Sequence, residues 1–222
     1  MWNVICLKWG TAYSADYVNR LHSMVKRHLH VPFQIYCFTD DAAGINSEIT
    51  VKPILDNRWI KWWNKIPLLS PDVDLPNNPC LFFDLDVIIY NDITKLLQEA
   101  TDYLTIAECH WVDPVRNFKG YDRNLSCDLN SSIMMWNRTP QVKQLYDFFD
   151  TNYDTLMQQY KGIDKVLYYY EYQEFEIRTI SKTWIQSYHH SGFDDSKGSI
   201  LIFNQGVKQH ELNDERVNAL WN

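Results

Sequence analysis

Short apolar runs alternate with a stretch of helical period over the first forty residues. Residues 3–8 (NVICLK) are suited to a buried strand. Val18, Leu21, Val25 and Leu29 recur at helical spacing behind Ser14, a candidate N-cap, and predict an amphipathic helix over residues 15–30. Pro32 stops it, and residues 33–38 (FQIYCF) predict a second strand that runs into Thr39, Asp40 and Asp41. Strand, helix and strand in this length make a βαβ unit and therefore a parallel sheet. Such sheets bind ligands beyond the carboxyl ends of their strands, where residues 9–13 and 39–41 would open as loops.

The same reading continues along the chain. Residues 49–55 predict a third strand, 93–100 a short helix capped by Asp92, and 103–107 and 130–137 two further strands. Thr139 followed by Pro140 is a helix start. Val142, Leu145, Tyr146, Phe149, Tyr153, Leu156, Met157 and Tyr160 then mark one apolar face of a long helix ended by Gly162. Two short strands are expected within 175–188 and another at 199–203. Residues 108–126 have no period but carry Trp111, Phe118 and Tyr121, which makes them a candidate acceptor-facing lid.

The chemistry concentrates in residues 79–92, PCLFFDLDVIIYND. Asp84 and Asp86 interrupt a strongly apolar segment, and burying carboxylates there is costly unless something positive neutralises them. Strand alternation would point both the same way, with Leu85 turned into the core. Two aligned oxygen ligands suit Mg²⁺ or Mn²⁺ that also holds phosphate oxygens. The alternative is local: one Asp opens a turn and the other caps a helix.

With 21 Lys and Arg against 28 Asp and Glu, the net charge is −7, which argues against a nucleic-acid partner. The 222 residues carry no Gly/Ser/Pro linker, so one domain over 1–222 is expected. Cys6, Cys37, Cys80, Cys109 and Cys127 form no CxxC pair and read as reduced core residues. No apolar segment reaches membrane-span length and no leader pattern opens the chain, so the expected location is the cytoplasm.

Residues 84–86 resemble the DxD motif of GT-A glycosyltransferases, the glycogenin-like nucleotide-sugar enzymes. CLKWGTAYSADYVNRL and VPFQIYCFTDD resemble the opening of a bacterial and phage group of that superfamily. The resemblance implies an α/β, mixed but mostly parallel sheet flanked by helices, and a nucleotide-sugar donor, UDP-sugar first. Leu7, Lys8, Trp9 and Tyr13 would sandwich the base, with Asp40 on base or ribose. Loop packing is the other role open to Trp9 and Tyr13. Asp86 would be the direct metal ligand for Mn²⁺ or Mg²⁺, and Asp84 would serve ribose or a metal-bound water.

Trp63-Asn64-Lys65 matches the family's Trp-x-Lys and puts Lys65 at the diphosphate, although Lys61 and Lys65 could equally be solvated. Residues 130–137 resemble the family strand that faces donor sugar and acceptor, with Ser132 in place of Gly. Gly162-Ile163-Asp164-Lys165 stands where the family has Gly-Asp-Gln, which makes Asp164 the candidate catalytic base at the acceptor hydroxyl of an inverting enzyme. Near the end, Lys208 matches a diphosphate contact and Asn204 stands where relatives place a metal-binding His, with His210 as the substitute ligand. The acceptor (glycan, lipid or protein) and the stereochemical course stay open. So do two rival readings, a non-catalytic sugar- or nucleotide-binding relative and a metal-dependent phosphodiesterase.

Overall fold

The computed structural model describes residues 1–113, 126–171, 175–203 and 208–221. The opening pattern folds as the expected βαβ unit: β1 (Trp2–Lys8), α1 (Ala15–His28) and β2 (Phe33–Thr39). β1 and β2 pair in parallel over their full length, Trp2 beside Phe33 and Lys8 beside Thr39. Ser14 stands at the N-cap position in extended conformation, but its side chain makes no capping bond. β3 (Thr50–Pro53) is shorter than the apolar run suggested and lies parallel on the edge beside β2.

β4 (Cys80–Phe83) enters on the other side of β1, again parallel. Then come β5 (Val87–Ile89), β6 (Thr105–Glu108) and β7 (Leu129–Trp136). α2 (Pro140–Gln159), α3 (Ile163–Glu171), β8 (Arg178–Ile180), β9 (Ile185–Ser187), α4 (Tyr188–Ser191), β10 (Ile200–Ile202) and α5 (Glu215–Trp221) follow. The main sheet has seven strands in the order β3-β2-β1-β4-β7-β6-β8, and β5-β10-β9 form a second sheet. β7 runs antiparallel to both β4 and β6. The fold is mixed α/β with a mostly parallel sheet flanked by helices.

Strand alternation divides the apolar residues between two layers. Val4, Cys6, Ile35, Cys37, Leu81 and Phe83 face α1 through Val18, Leu21 and Val25. Ile5, Leu7, Tyr36, Phe38 and Phe82 face the other way, onto Trp63, Ile66, Val142, Leu145 and Phe149. Thr139 caps α2 by accepting from the Val142 amide, and Pro140 opens it. The four buried apolar positions of α2 all come from the predicted face.

Three expectations need correction. The Asp84–Asp86 stretch is a turn between β4 and β5, which belong to different sheets, and not strand interior. Leu85 is still buried, at 3% exposure, and anchors the turn by about 2 kcal/mol of apolar burial. The long helix expected to run up to Gly162 stops at Gln159, and residues 163–171, for which no element was expected, form α3. The predicted helix at 93–100 is a 3-10 turn over Thr94–Glu99, with Asp92 accepting from the Thr94 amide at 2.7 Å. Phe118, Tyr121 and most of the proposed lid lie outside the described residues, as does Asn204. No described helix is long and apolar enough to cross a membrane.

Candidate active site

β1 leads to β2 and β3 on one side and its other neighbour is β4, so the sheet order reverses between β1 and β4. In open α/β sheets the crevice beyond the carboxyl ends at such a reversal is where ligands bind. Two cavities meet there. One, of about 400 Å³, is lined by Leu7, Trp9, Tyr13 and Leu85. The other, of about 480 Å³, reaches past Asn130, Ser131 and Ser132 to Asp164. Trp62, Lys65, Asp84, Asp86 and Lys208 line both. The turn therefore stands at the boundary, with both carboxylates open to ligand.

Lys65 comes from a 3-10 helix over Lys61–Leu69, where Pro67 lacks the amide an α-helix would use. The residue is 4% exposed, which rules out the solvated role. Its ammonium donates to Asp84 Oδ2 at 2.8 Å, to the Ser131 carbonyl at 3.0 Å and to the Ser131 hydroxyl at 3.1 Å. An ammonium has three protons, so all are engaged. In this state Lys65 fixes Asp84 and has no free donor for a phosphate. Burial pushes the Asp84 carboxyl up, against the pull of Lys65, and Asp86 adds to the rise.

Ser131 owes its availability to a break in the ladder. Ile106 pairs with Met134 but Ala107 pairs with Asn130, so the register shifts between β6 and β7. Bulges of this kind re-aim groups beside active sites. The freed Ser131 amide donates to Asp164 Oδ1 at 3.0 Å while its carbonyl accepts from Lys65. Asp164, at the start of α3, is thereby joined to Asp84 through Ser131 and Lys65. Burial raises its pKa, with Lys65 and the Ser131 bonds opposing. The sequence offered no signal for Ser131 beyond its place in the strand expected to face the donor.

Asp86 has different partners. Its Oδ2 accepts from the Tyr13 hydroxyl at 2.8 Å and from Lys208 Nζ at 2.6 Å. Lys208 also lies over the Tyr13 ring, 5.3 Å from its centroid. Tyr13 thus reaches the carboxylate as well as lining the smaller cavity. Trp9 is half-buried against the second core layer and borders that cavity. Lys8 and Asp40 line neither cavity. Lys8 donates to the Asp41 carbonyl at 3.0 Å. Asp40 accepts from the Gly10 amide at 2.9 Å, bracing a turn in which Gly10 takes φ 60°. His210 is the hydrogen-bond partner of the Tyr17 hydroxyl.

Trp62 and Lys161 are lining residues that sequence reasoning passed over. The larger cavity gathers Lys65, Lys161, Lys165 and Lys208 against Asp84, Asp86 and Asp164, an excess of positive charge in a chain of net charge −7.

No protein-family model matches the chain, and no curated protein does. Solved structures do. GlyE of Streptococcus pneumoniae TIGR4, a glycosyltransferase, superposes with a TM-score of 0.69 at 12% identity. The match covers all of this chain and 60% of GlyE, so this chain spans less than two thirds of that protein. The fold is that of GT-A-like glycosyltransferases. The galactosyltransferase LgtC, solved with donor and acceptor sugar analogs, gives 0.61 at 12% identity over 99% of this chain and 95% of LgtC. An active-site mutant of LgtC gives 0.64 at 13% identity, covering 98% and 94%. At these identities the likeness is one of fold.

Proposed function

We propose that this chain is a glycosyltransferase that moves a sugar from a nucleoside-diphosphate donor, UDP-sugar first, to an acceptor hydroxyl. The observation that carries the reading is the meeting of two cavities at Asp84 and Asp86, at the reversal point of this fold, with lysines beside both carboxylates. The smaller cavity, with Trp9 and Tyr13, offers aromatic faces to a base. The larger, with Asn130, Ser132 and Asp164, offers polar groups to sugar hydroxyls.

The donor set of the turn fits Mg²⁺ or Mn²⁺. It is all oxygen, and among the described residues no three of His, Cys, Asp and Glu converge. A hard cation that keeps waters and shares phosphate oxygens needs only one or two carboxylates. Asp86 and Asp84 would hold it, and when bound it would supply neutralising charge for the departing diphosphate. Asn204, the proposed third ligand, lies outside the described residues.

The chain's own groups do the rest. Lys65 and Ser131 hold Asp84 in place before ligand arrives. Lys208, with its side chain 35% exposed, is a compact cation for phosphate charge that builds on the leaving group. In the transfer, the bond from the anomeric carbon to the β-phosphate oxygen breaks and its electron pair leaves with the diphosphate. The acceptor oxygen bonds to the sugar and, in an inverting course, its proton passes to a carboxylate base, the role proposed for Asp164, which lines the larger cavity. Its raised pKa strengthens it as a proton acceptor.

The test is incubation with a panel of nucleotide sugars and Mn²⁺, following free nucleoside diphosphate, beside calorimetry of UDP binding. Asp86→Asn should abolish Mn²⁺-dependent UDP binding while the far-UV spectrum is retained. Unchanged binding in Asp86→Asn refutes the metal assignment. Tight binding without release of diphosphate would make the chain a nucleotide-sugar-binding relative.

A further inference from the structure

Three tryptophans crowd the segment before β4, and the fold treats them differently. Trp59 and Trp63 are 2% and 4% exposed and stack on one another in the second core layer. Trp62, between them, is 41% exposed and stands where the two cavities join. The transfer chemistry above makes no use of it.

Its position is specified from two sides. Lys61, the residue before it, adopts φ 56°, a region that a side chain with Cβ enters at a cost. The Asn64 amide group donates to the Lys61 carbonyl at 2.9 Å and holds that turn. On the far side, a Cβ built on Gly162 would lie 3.3 Å from Trp62 Nε1 and 3.6 Å from Cδ1. A missing side chain at Gly162 therefore lets the indole edge close on the backbone just ahead of α3. Lys61 Nζ lies over the indole, 5.7 Å from its centroid, yet Trp62 keeps 41% exposure, and strain retained beside a cavity together with so open an aromatic ring points to a ligand.

The chemistry of that ligand follows from what surrounds the indole. A pyranose presents C–H groups on its faces, which pack on an aromatic ring, and hydroxyls around its edge, which need polar partners. Asn130, Ser132 and Asp164 supply such partners within the same cavity. Depth separates donor from acceptor: Lys65, Ser131 and Ser132 are 4%, 5% and 9% exposed, whereas Trp62 and Lys161 are exposed. A sugar tethered to a diphosphate at the turn takes the closed floor. The indole at the rim is left for the incoming molecule.

We propose that the acceptor is a saccharide and that Trp62 is the platform on which its ring stacks, with the reactive hydroxyl turned toward Asp164. This rests on the donor reading above, and the experiment separates the two. Saturation-transfer NMR is run on the full chain with Mn²⁺ and UDP. The probes are disaccharides built on glucose, galactose, N-acetylglucosamine and rhamnose, and a Ser/Thr-rich peptide. Wild type is compared with Trp62→Ala and Trp62→Tyr, and UDP affinity of each is measured by calorimetry.

The expected result is transfer to the ring C–H protons of at least one disaccharide. That disaccharide's affinity should fall about tenfold in Trp62→Ala, the loss of one stacking contact, with much of it kept in Trp62→Tyr. The fall should exceed any change in UDP affinity. Equal disaccharide binding in wild type and Trp62→Ala overturns the platform. Binding of the peptide alone, or of no disaccharide while UDP binds, overturns the saccharide acceptor and leaves the donor reading intact. A disaccharide that needs Trp62 when UDP fails to bind would keep the platform and sink the donor reading.

Discussion

Asp84 and Asp86 are separated by one residue and live in different surroundings. Asp84 belongs to a closed chain: Lys65 spends its three protons on Asp84 and Ser131, and the Ser131 amide continues to Asp164. Asp86 faces groups that can leave it, the Tyr13 hydroxyl and Lys208, whose side chain is 35% exposed against 5% for Lys65. The contrast separates a half of the site that the fold builds in advance from a half whose partners a ligand can take over. Pre-organised charge costs no reorganisation during reaction. Movable charge lets a ligand enter without leaving a buried carboxylate unpaired on either side of binding.

The sharpest way to break this contrast is to remove Lys65. Lys65→Ala leaves Asp84 without its cation, and stability should fall by about 3 kcal/mol, the low end for a broken buried pair because Asp84 keeps 27% side-chain exposure. Urea unfolding reads it, and Asp84→Asn in the same chain should restore most of the loss. A loss within about 0.5 kcal/mol, typical of a featureless surface site, would deny that the Asp84 half is built in.

Next in size is the aromatic wall on the open side. Trp9→Ala should weaken UDP by on the order of 1–3 kcal/mol if the indole stacks on the base. Unchanged affinity by calorimetry would assign Trp9 to core packing alone. Tyr13→Phe keeps the ring and deletes the bond to Asp86, so it should cost about 1 kcal/mol of stability. Lys208→Ala should change stability by less than about 1 kcal/mol, since the pair is partly solvated. It should still weaken UDP while leaving uridine unaffected. A stability loss matching that of Lys65→Ala would erase the distinction between the halves.

The smallest effect is a slope. Burial raises the Asp164 pKa above its ordinary value of 3.8, so the folded chain holds that proton more tightly than the unfolded chain. The resulting stability is fully present below the unfolded value and is lost as pH rises through the folded one. Asp164→Asn retains an acceptor for the Ser131 amide and should flatten this fall, as followed by urea midpoints from about pH 4 upward. An identical slope in the variant would place Asp164 in a solvated setting.

Local pattern was enough for the βαβ opening and for the apolar face of α2, because strand and helix periods are written in neighbouring residues. The Asp-Leu-Asp triplet was legible too, since two carboxylates inside an apolar run demand a cation wherever the chain folds. Strand alternation was the wrong reason for their shared orientation: a turn between two sheets aligns them, and Leu85 pins it. Lys65 remained ambiguous in sequence because a lysine's fate depends on whether a carboxylate lies within reach, and Asp84 comes from another element.

By itself, then, the sequence determined the βαβ opening, the apolar face of α2 and the setting of two carboxylates in an apolar run, all written in residues close along the chain. Tertiary structure alone decided that a shifted register would free Ser131 to join Lys65 to Asp164. It also decided that α3 would bring Asp164 into the larger cavity, and that of three nearby tryptophans only Trp62 would remain at the rim. Those outcomes depend on groups from strands and helices far apart in the chain, whose distances no local period encodes.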